Sequence, residues 1–575
     1  MTRTATTATT NRPVHRRVVL VAACVFACAA LTGCASGPRI IPLDKRVAID
    51  RAIVERPSGL ELTTFIADLD SPTAIAFDTS NTPSRGTIVV ALGGIGKLPP
   101  RIVAFTVGGI RREIYPAGLP FLTGLFQTAP KIYGPIGGIA LKDGEIFVSH
   151  RDINDQGVVS AFTYDGRRRT VVSDLPAKGD HSVTDLAFHP VNGRLYFGVG
   201  SATNSGVVGL DNWASGWVRT HRDLADVSAV DLRLLGSRFD TRNPTGGLFG
   251  GDDIAVTAPY QPFALSTALR IPRSPSDKPG AAIYSISAGG GDLRVEAHGL
   301  RNPRGLVFNQ FGNLFVANQG MELRGTRPVK DDPDAVLRVP LGGAVWYGWP
   351  DFSADLSPIS ETRFQPPREF LLRTGYPEVG FLIDHEASGL IRPDRETLLR
   401  GVFPSLSGAA KVEFVPGEIE KPFQPFSGSL VVALSGDRAP FATSNFPLKR
   451  PVGYRVVLLD PTTRQVTDFV YNTQGKPAHL LYKQRGQQGG QTRGGQHRGA
   501  IERPIDVKFG PDGALYIVDM GKIEMKNGRA VPTKGSGKIM RLAVDESLDF
   551  STTEPKAVEP KTIEPRLPTT ARVVE

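Results

Sequence analysis

The feature that most constrains the fold is one short pattern that occurs six times along the chain. Each copy combines an alternating apolar strand, a turn, and a second apolar strand that ends in small residues. In the third copy, Leu186 and Phe188 alternate with smaller or polar neighbours before the turn Asn192-Gly193. Alternation of period two is typical of strands, and Asn-Gly favours a tight hairpin because Gly accepts positive φ. The copies begin at Pro72, Gly134, His181, Arg301, Ala410 and Arg503.

Six spaced hairpins predict an all-β fold, a six-bladed β-propeller with loop insertions, over residues 59–545. Closing the blades into a ring removes the long open edge that stacked β units would otherwise expose. Residues 206–300 and 351–408 separate some copies widely, so we expect them to hold further blade strands and insertions. A β-sandwich would not need six copies of one hairpin.

Polar side chains occur where these hairpins begin or end, at positions that the strand pattern does not require. His181, Arg301-Asn302 and Arg503 precede first strands, and Arg438 follows a second strand. Inner strands of a propeller line a central channel, so these residues are expected to converge on one polar pocket. Two alternatives stay open: His181 as a turn or channel-lining residue, and Arg301-Asn302 as a structural pair.

Several segments resemble the glucose/sorbosone dehydrogenase family, soluble quinoproteins on a six-bladed propeller. The strongest match is GLRNPRGLVFNQFGNLFVANQG, followed by DDPDAVLRVPLGGAVWYGWP; LPAKGDHSVTDLAFHPVNGRLYFGVGSATNSG is similar to the catalytic-histidine strand. The resemblance covers about residues 134–542 and implies pyrroloquinoline quinone and calcium as cofactors. It also implies roles for individual residues: His181 as general base; Asp180, Arg301, Asn302, Arg438 and Arg503 as cofactor-binding; and Gln319, Gly320 and Met321 as the segment whose carbonyls bind calcium.

These residue types suit the implied chemistry. Neutral histidine can take the proton of a hydroxyl, and arginine binds carboxylates through paired hydrogen bonds. Calcium takes oxygen ligands, including backbone carbonyls. The leading hypothesis is an oxidoreductase that acts on a sugar or related alcohol or aldehyde and passes electrons to an external acceptor. The alternatives are a non-catalytic propeller that binds carbohydrate or a protein partner, and a calcium-dependent lactonase.

Further candidates are weaker. His150 ends a second strand and is predicted to face the channel. Asp331, Asp332 and Asp334 bind calcium or, in the favoured interpretation, form an exposed acidic loop. Trp346 and Trp349 are predicted to be packing anchors.

The amino terminus predicts export. Four arginines and no acidic residue precede an apolar run, and residues 1–33 read as a signal peptide. The sequence LTGC resembles the bacterial lipobox, which implies lipidation at Cys34 and a location on the membrane of the cell envelope, facing the periplasm or the exterior, with the outer membrane favoured where one exists. An ordinary signal peptide with an incidental cysteine is the alternative.

Net charge and the segments outside the blades give the remaining predictions. Removing the four signal arginines takes the formal charge from +10 to +6, which does not suggest nucleic acid. Residues 34–58 are predicted to form a tether and residues 546–575 a disordered Pro-rich tail. The basic loop 483–499 is interpreted as a solvated segment, with an acidic partner as the alternative.

Overall fold

The computed structural model describes residues 38–106, 109–116, 131–246, 252–265, 273–371, 375, 378–419, 421–484 and 499–545. The chain divides by contacts into Met1–Arg39 and Ile40–Glu575, and the fold below is that of the second unit. The predicted signal peptide, Cys34, the predicted tail and residues 485–498 of the basic loop lie outside the described residues.

Six sheets of four or five strands form the blades, each with its first hairpin innermost. Strands β1 (Val54–Glu55) and β2 (Leu60–Leu69) precede blade 1, which is β3 (Pro72–Phe77), β4 (Ile88–Gly93), β5 (Pro100–Phe105) and β6 (Arg111–Tyr115). Blade 2 is β7 (Ile139–Lys142), β8 (Glu145–Arg151), β9 (Gly157–Thr163) and β10 (Arg168–Leu175). Blade 3 contains β11 (Val183–Phe188), β12 (Leu195–Val199), β15 (Ala282–Ile286) and β16 (Arg294–His298), and blade 4 contains β17 (Pro303–Phe308), β18 (Leu314–Asn318), β19 (Asp334–Val339) and β21 (Leu399–Phe403). Blade 5 is β22 (Ala409–Phe414), β23 (Leu430–Leu434), β24 (Arg455–Leu459) and β25 (Val466–Asn472), and blade 6 is β26 (Pro504–Phe509), β27 (Leu515–Asp519), β30 (Gly537–Val544) and β2.

The insertions contribute short elements. They are the hairpins β13 (Phe239–Arg242) with β14 (Ile254–Thr257) and β28 (Ile523–Lys526) with β29 (Arg529–Pro532), strand β20 (Val345–Trp346) at the edge of blade 3, and the helices α1 (Leu210–Ser215), α2 (Trp217–Thr220), α3 (Arg368–Leu371), α4 (Arg395–Leu398) and α5 (Ala478–Gln484). None of the helices in the described residues is long and apolar enough to cross a membrane.

The ring closes through the two ends of the propeller sequence. Strand β2 pairs with β30 as the outermost strand of blade 6, from Leu60 opposite Val544 to Leu69 opposite Gly537. The innermost strands β3, β7, β11, β17, β22 and β26 each contact the next, and β26 returns to β3. The predicted six-bladed propeller is therefore confirmed, with every predicted hairpin forming the first two strands of a blade.

Buried carboxylates fasten neighbouring blades. Asp185 of blade 3 accepts the backbone N–H of Leu306 in blade 4 at 3.1 Å. Asp506 of blade 6 accepts that of Ile75 in blade 1 at 3.0 Å. Lys411 of blade 5 lies between the two acids, with Nζ 3.1 Å from Asp185 and 3.4 Å from Asp506, so each buried carboxylate has a backbone donor and a cation.

The segment predicted as a tether is partly built into the propeller. Val54 and Glu55 form β1, which pairs with Asn472 and Tyr471 as a fifth strand on blade 5. Ile40 bridges to Ile66 on β2. The blade-5 edge is thus covered by residues that carry no hairpin pattern of their own.

Candidate functional site

A cavity of about 1310 Å³ lies at one end of the central channel and is lined by all six blades. The predicted junction residues His181, Arg301, Arg438 and Arg503 all reach it. Its lining carries twelve Lys or Arg residues against six Asp or Glu residues. The excess positive charge favours an anionic ligand.

His181 presents an unused nitrogen in this cavity. Its Nδ1 lies 2.9 Å from the carbonyl oxygen of Ser201, which can only accept, so Nδ1 carries the proton. Its Nε2 is buried and has no hydrogen-bond partner in the part of the chain that the structure describes. Burial first, and then the charge of Arg301, hold the pKa of His181 well below its ordinary value of 6.5. The imidazole is therefore neutral with a free lone pair, as a general base requires.

Gly200 makes room for this histidine. A Cβ at Gly200 would lie 2.3 Å from Cβ of His181 and 3.0 Å from Oδ1 of Asn302. Both distances are too short for a side chain. The small residue at the end of β12 thus lets His181 and Asn302 share one wall of the cavity.

Beside His181 lies a group of buried charges that we call the ion-pair cluster, namely Asp180, Asp211, Glu322 and Arg324. The Arg324 guanidinium donates to Asp180 at 2.7 Å and to Asp211 and Glu322. Asp180 also accepts from Trp217 Nε1 at 2.8 Å and from Asn212 Nδ2 at 3.0 Å. Asp180, predicted to bind cofactor, is thereby engaged by three protein donors.

Glu322 connects the cluster to two of the predicted arginines. It accepts from Arg438 Nη2 at 2.5 Å and lies 3.6 Å from Arg301 Nη2. Burial alone would raise the pKa of Glu322, but Arg438, Arg324 and Arg301 outweigh burial and hold it well below 4.5. The carboxylate is ionised and neutralised by protein cations.

The predicted pair Arg301-Asn302 is bonded to protein groups. Arg301 donates to the carbonyls of Asn204 at 3.0 Å and Gly320 at 2.6 Å. Asn302 Nδ2 donates to Gln319 Oε1 at 2.7 Å. Burial lowers the pKa of Arg301 to about 10. These contacts agree with the alternative that Arg301-Asn302 is a structural pair. Both residues also line the cavity.

Calcium does not fit the predicted segment Gln319, Gly320 and Met321. The Gly320 carbonyl, one of three proposed ligands, already accepts from Arg301, and a cation at about 2.3–2.6 Å from that oxygen would face a guanidinium. Glu322, the acid beside the segment, is neutralised by arginines. Within the described ranges, no group of three or more His, Cys, Asp or Glu residues could hold a metal ion.

Three guanidiniums from consecutive blades form a second charged group, the arginine triad: Arg304, Arg438 and Arg503. Arg503 donates to the carbonyl of Ser435 at 2.8 Å and of Gly436 at 3.0 Å, while its buried Nε has no hydrogen-bond partner within the described ranges. Arg304, which precedes Gly305 on β17, forms no hydrogen bond or ion pair with the residues that the structure describes. Burial, with the charges of Arg438 and Arg503, lowers the pKa of Arg304 to about 10.

Carboxylates suit this triad, because guanidinium bonds them in pairs and stays charged when desolvated. Pyrroloquinoline quinone, a tricarboxylate, therefore fits the donor set, with the unpaired Nε of Arg503 and the free Arg304 as the observations that accommodate it. Its carboxylates would be held by Arg304, Arg438 and Arg503.

Arg304, Glu322 and Arg324 were not predicted from the sequence. Arg304 could have been found, because it lies in the same RNPRG segment as the predicted pair and alternates with the buried Pro303 and Gly305. The partners of Glu322 and Arg324 are distant in sequence, so no local signal identifies them.

The structure corrects two other expectations. His150 does not face the channel: its Nε2 lies 2.8 Å from Ser160 Oγ and its Nδ1 lies 2.7 Å from the Arg151 carbonyl oxygen, inside blade 2. The acidic stretch is exposed only in part: Asp331 is exposed, as predicted, whereas Asp332 and Asp334 are buried and accept backbone N–H groups. Trp346 and Trp349 pack in one apolar cluster, as predicted.

Helix α5 contributes a second histidine, His479, to the cavity lining. His479 Nδ1 lies 2.6 Å from Oε1 of Glu502, whose other oxygen accepts the His479 backbone N–H. Glu502, which precedes β26 of blade 6, thus orients His479, and His479 lines the cavity.

A hairpin roofs the cavity. Strands β28 and β29 leave blade 6 and reach the α1–α2 junction of blade 3, on the opposite side of the ring. Gly216 there has φ 103°, and a Cβ on it would lie 2.4 Å from Nη2 of Arg529. Such a roof limits access of bulk water to the lining.

No protein-family model and no curated protein matches the chain. Among solved structures, the chain is similar to a putative oxidoreductase (glucose dehydrogenase) from Thermus thermophilus, with 16% identity over 84% of this chain and 100% of that one and a TM-score of 0.39. It is also similar to the PQQ-bound aldose sugar dehydrogenase from Streptomyces coelicolor, with 13% identity, coverage of 85% and 99%, and a TM-score of 0.41. A third is the periplasmic gluconolactonase of Pseudomonas aeruginosa, with 13% identity, coverage of 87% and 98%, and a TM-score of 0.29. The six-bladed architecture of this chain is established by its own sheet topology.

Proposed function

We propose that the cavity is the active site of an oxidoreductase that oxidises a sugar or related alcohol or aldehyde, with pyrroloquinoline quinone as the hydride acceptor. The observation that carries this proposal is His181: a buried, neutral imidazole whose Nε2 has no hydrogen-bond partner among the described residues. A titratable group whose pKa is shifted by burial and by specific charged neighbours in a cavity is typical of a functional site.

In the proposed reaction, Nε2 of His181 takes the hydroxyl proton of the substrate while hydride leaves the adjacent carbon. The bound quinone would supply the two-electron acceptor for that hydride. The Ser201 carbonyl keeps the ring oriented through Nδ1–H. The Asp180 carboxylate opposes the effect of the arginines and favours the imidazolium that forms.

The other residues of the cavity bind anionic groups and cover the substrate. Arg304, Arg438 and Arg503 hold anionic groups, and the β28–β29 hairpin covers the substrate. The same proposal includes transfer of the two electrons from the site to an external acceptor.

The test is quinone binding and dye reduction by the purified protein with a panel of aldoses, in parallel with His181→Gln. We expect His181→Gln to bind quinone as tightly as wild type but to lose at least about 100-fold in turnover, because a general base typically contributes that much or more. His189→Gln, which changes a histidine in a turn outside the cavity lining, is the matched control and should retain full turnover. Absence of quinone binding and of dye reduction with every substrate contradicts the proposal.

The alternative of a propeller that binds without oxidising is favoured by one observation: the predicted calcium segment does not fit calcium. It predicts sugar or anion binding that is unaffected by quinone, with no dye reduction. The same purified protein distinguishes the two functions.

We propose further that the protein is exported and anchored by lipid at Cys34. The support is the signal-like amino terminus and LTGC alone. Mass analysis of the mature amino-terminal peptide should find a diacylated or triacylated Cys34, and Cys34→Ser should release the protein from the membrane fraction. An unmodified Cys34 in the membrane fraction would overturn this assignment.

A further inference from the structure

The wall of the cavity contributed by blades 4, 5 and 6 has an uncompensated positive charge. Arg304 has no partner among the described residues, and Arg503 is bonded only to neutral carbonyl and hydroxyl groups. Arg438 is the one member of the arginine triad with an ion pair to the described residues, and its partner is Glu322. The three are close enough that Arg438 and Arg503 lower the pKa of Arg304.

Two acids of this wall, Asp334 and Asp437, form no ion pair with the triad; Asp437 accepts the backbone N–H groups of Ala439 and Val452, each at 3.1 Å. Asp334, the carboxylate that acts on Arg304 electrostatically, accepts the backbone N–H of Gly320 at 2.9 Å and of Ala409 at 2.7 Å, and Ser407 Oγ at 3.0 Å. It forms no ion pair with Arg304. A half-buried guanidinium left unpaired beside two others costs folding free energy that a bound anion would recover.

The contacts of the predicted calcium segment also concern the charge of this wall. In a site where calcium holds an anionic ligand, the cation supplies positive charge and oxygen ligation. Here the Gly320 carbonyl is bonded to Arg301, and the adjacent acid Glu322 is neutralised by Arg324 and Arg438. The Gly320 carbonyl and the Glu322 carboxylate are thus bonded to guanidinium groups, so the positive charge at this wall comes from arginine side chains.

We propose that the arginine triad, centred on Arg304, is a binding site for a ligand with two or more carboxylates, and that this binding requires no divalent cation. The proposal rests on the proposed function and deepens it, since the ligand is either the quinone cofactor or an acidic substrate. Both sources share the carboxylate chemistry that Arg304 and the unpaired Nε of Arg503 recognise.

The experiment is calorimetric titration of the purified full chain with two probes, pyrroloquinoline quinone and propane-1,2,3-tricarboxylate, each in EDTA and in calcium. The trimethyl ester of the tricarboxylate is the neutral control. We expect both acids to bind equally well in EDTA and in calcium, with affinity that falls as salt rises, and the ester not to bind.

Variants assign the site. Arg304→Gln should weaken both acids about 10- to 100-fold, the loss expected when a charged hydrogen bond is removed, and Arg304→Lys should restore part of the affinity. Arg294→Gln, which changes an exposed arginine outside the cavity lining, is the matched control and should bind like wild type. Circular dichroism of each variant verifies folding.

The outcomes are distinguishable. Binding that requires calcium, or an Arg304→Gln variant that binds as tightly as wild type, overturns the inference even if quinone-dependent oxidation is observed. Calcium-independent binding of the tricarboxylate without quinone binding or dye reduction supports the inference and contradicts the proposed oxidation. Quinone binding without tricarboxylate binding identifies the cofactor as the source of the carboxylates.

Discussion

Arg324 and Arg304 lie in the wall of the same cavity, but their surroundings are opposite. Arg324 is 2% exposed and forms ion pairs with Asp180, Asp211 and Glu322. Arg304 has no partner among the described residues and is repelled by two other arginines. Every nitrogen of the first guanidinium donates to a carboxylate, whereas no nitrogen of the second is bonded to a described residue.

The comparison shows that residue type and location in a cavity do not identify a binding residue. Hydrogen-bond saturation does, because a guanidinium already engaged by three carboxylates would have to break those pairs to bind a ligand. The ion-pair cluster is therefore a structural part of the site, and within the arginine triad Arg304 is the residue whose guanidinium is available to a ligand.

The largest effect is expected at Arg324. Arg324→Gln leaves the buried Asp180 and Asp211 without their cation and removes one of the cations of Glu322, so the free energy of unfolding should fall by about 3–5 kcal/mol. Urea denaturation measures this change. A loss below about 1 kcal/mol would mean that the cluster is not structural.

Crowding beside His181 gives the next effect. Gly200→Ala places a Cβ 2.3 Å from Cβ of His181 and should destabilise the fold by about 1–3 kcal/mol. It should also displace His181, so turnover falls more than ligand affinity. If Gly200→Ala has wild-type stability and turnover, the cavity wall accommodates the added Cβ and the predicted crowding of His181 is wrong.

A smaller effect should appear as a pH dependence of stability. The folded pKa of His181 lies below 6.5, so below that pH the unfolded chain takes up a proton that the folded chain does not. This contribution to stability is present above pH 6.5 and is lost as pH falls toward the depressed folded pKa. His181→Gln should reduce the slope of unfolding free energy against pH in that window, whereas His189→Gln, which keeps His181, should retain the slope. Identical slopes in wild type and His181→Gln would contradict a neutral buried His181.

Arg304→Gln should have the smallest effect on stability. Because Arg304 has no partner to lose, the free energy of unfolding should change by less than about 1 kcal/mol, or rise as repulsion from Arg438 and Arg503 is relieved. Thermal denaturation alongside Arg324→Gln measures the contrast. Equal destabilisation by the two variants would remove the distinction between the cluster and the triad.

The sequence alone determined the blades. Each inner hairpin is encoded locally, by period-two alternation and by turns such as Asn192-Gly193, so all six could be located and the ring inferred from their number. The convergence of His181, Arg301, Arg438 and Arg503 followed from the same repeat, because equivalent positions of successive blades meet at the channel.

Only the tertiary structure decided which of these residues are free. Asp180 and Arg301 were predicted to bind cofactor, but their hydrogen bonds go to Trp217, Arg324, Asn204 and Gly320, partners that lie up to 144 residues away. His150 alternates like a channel residue, yet Ser160 of the neighbouring strand holds its ring. Local alternation specifies which face of a strand a side chain occupies, whereas hydrogen-bond saturation depends on side chains brought together by ring closure. For that reason the sequence located the cavity, and the fold identified Arg304 as its unpaired cation.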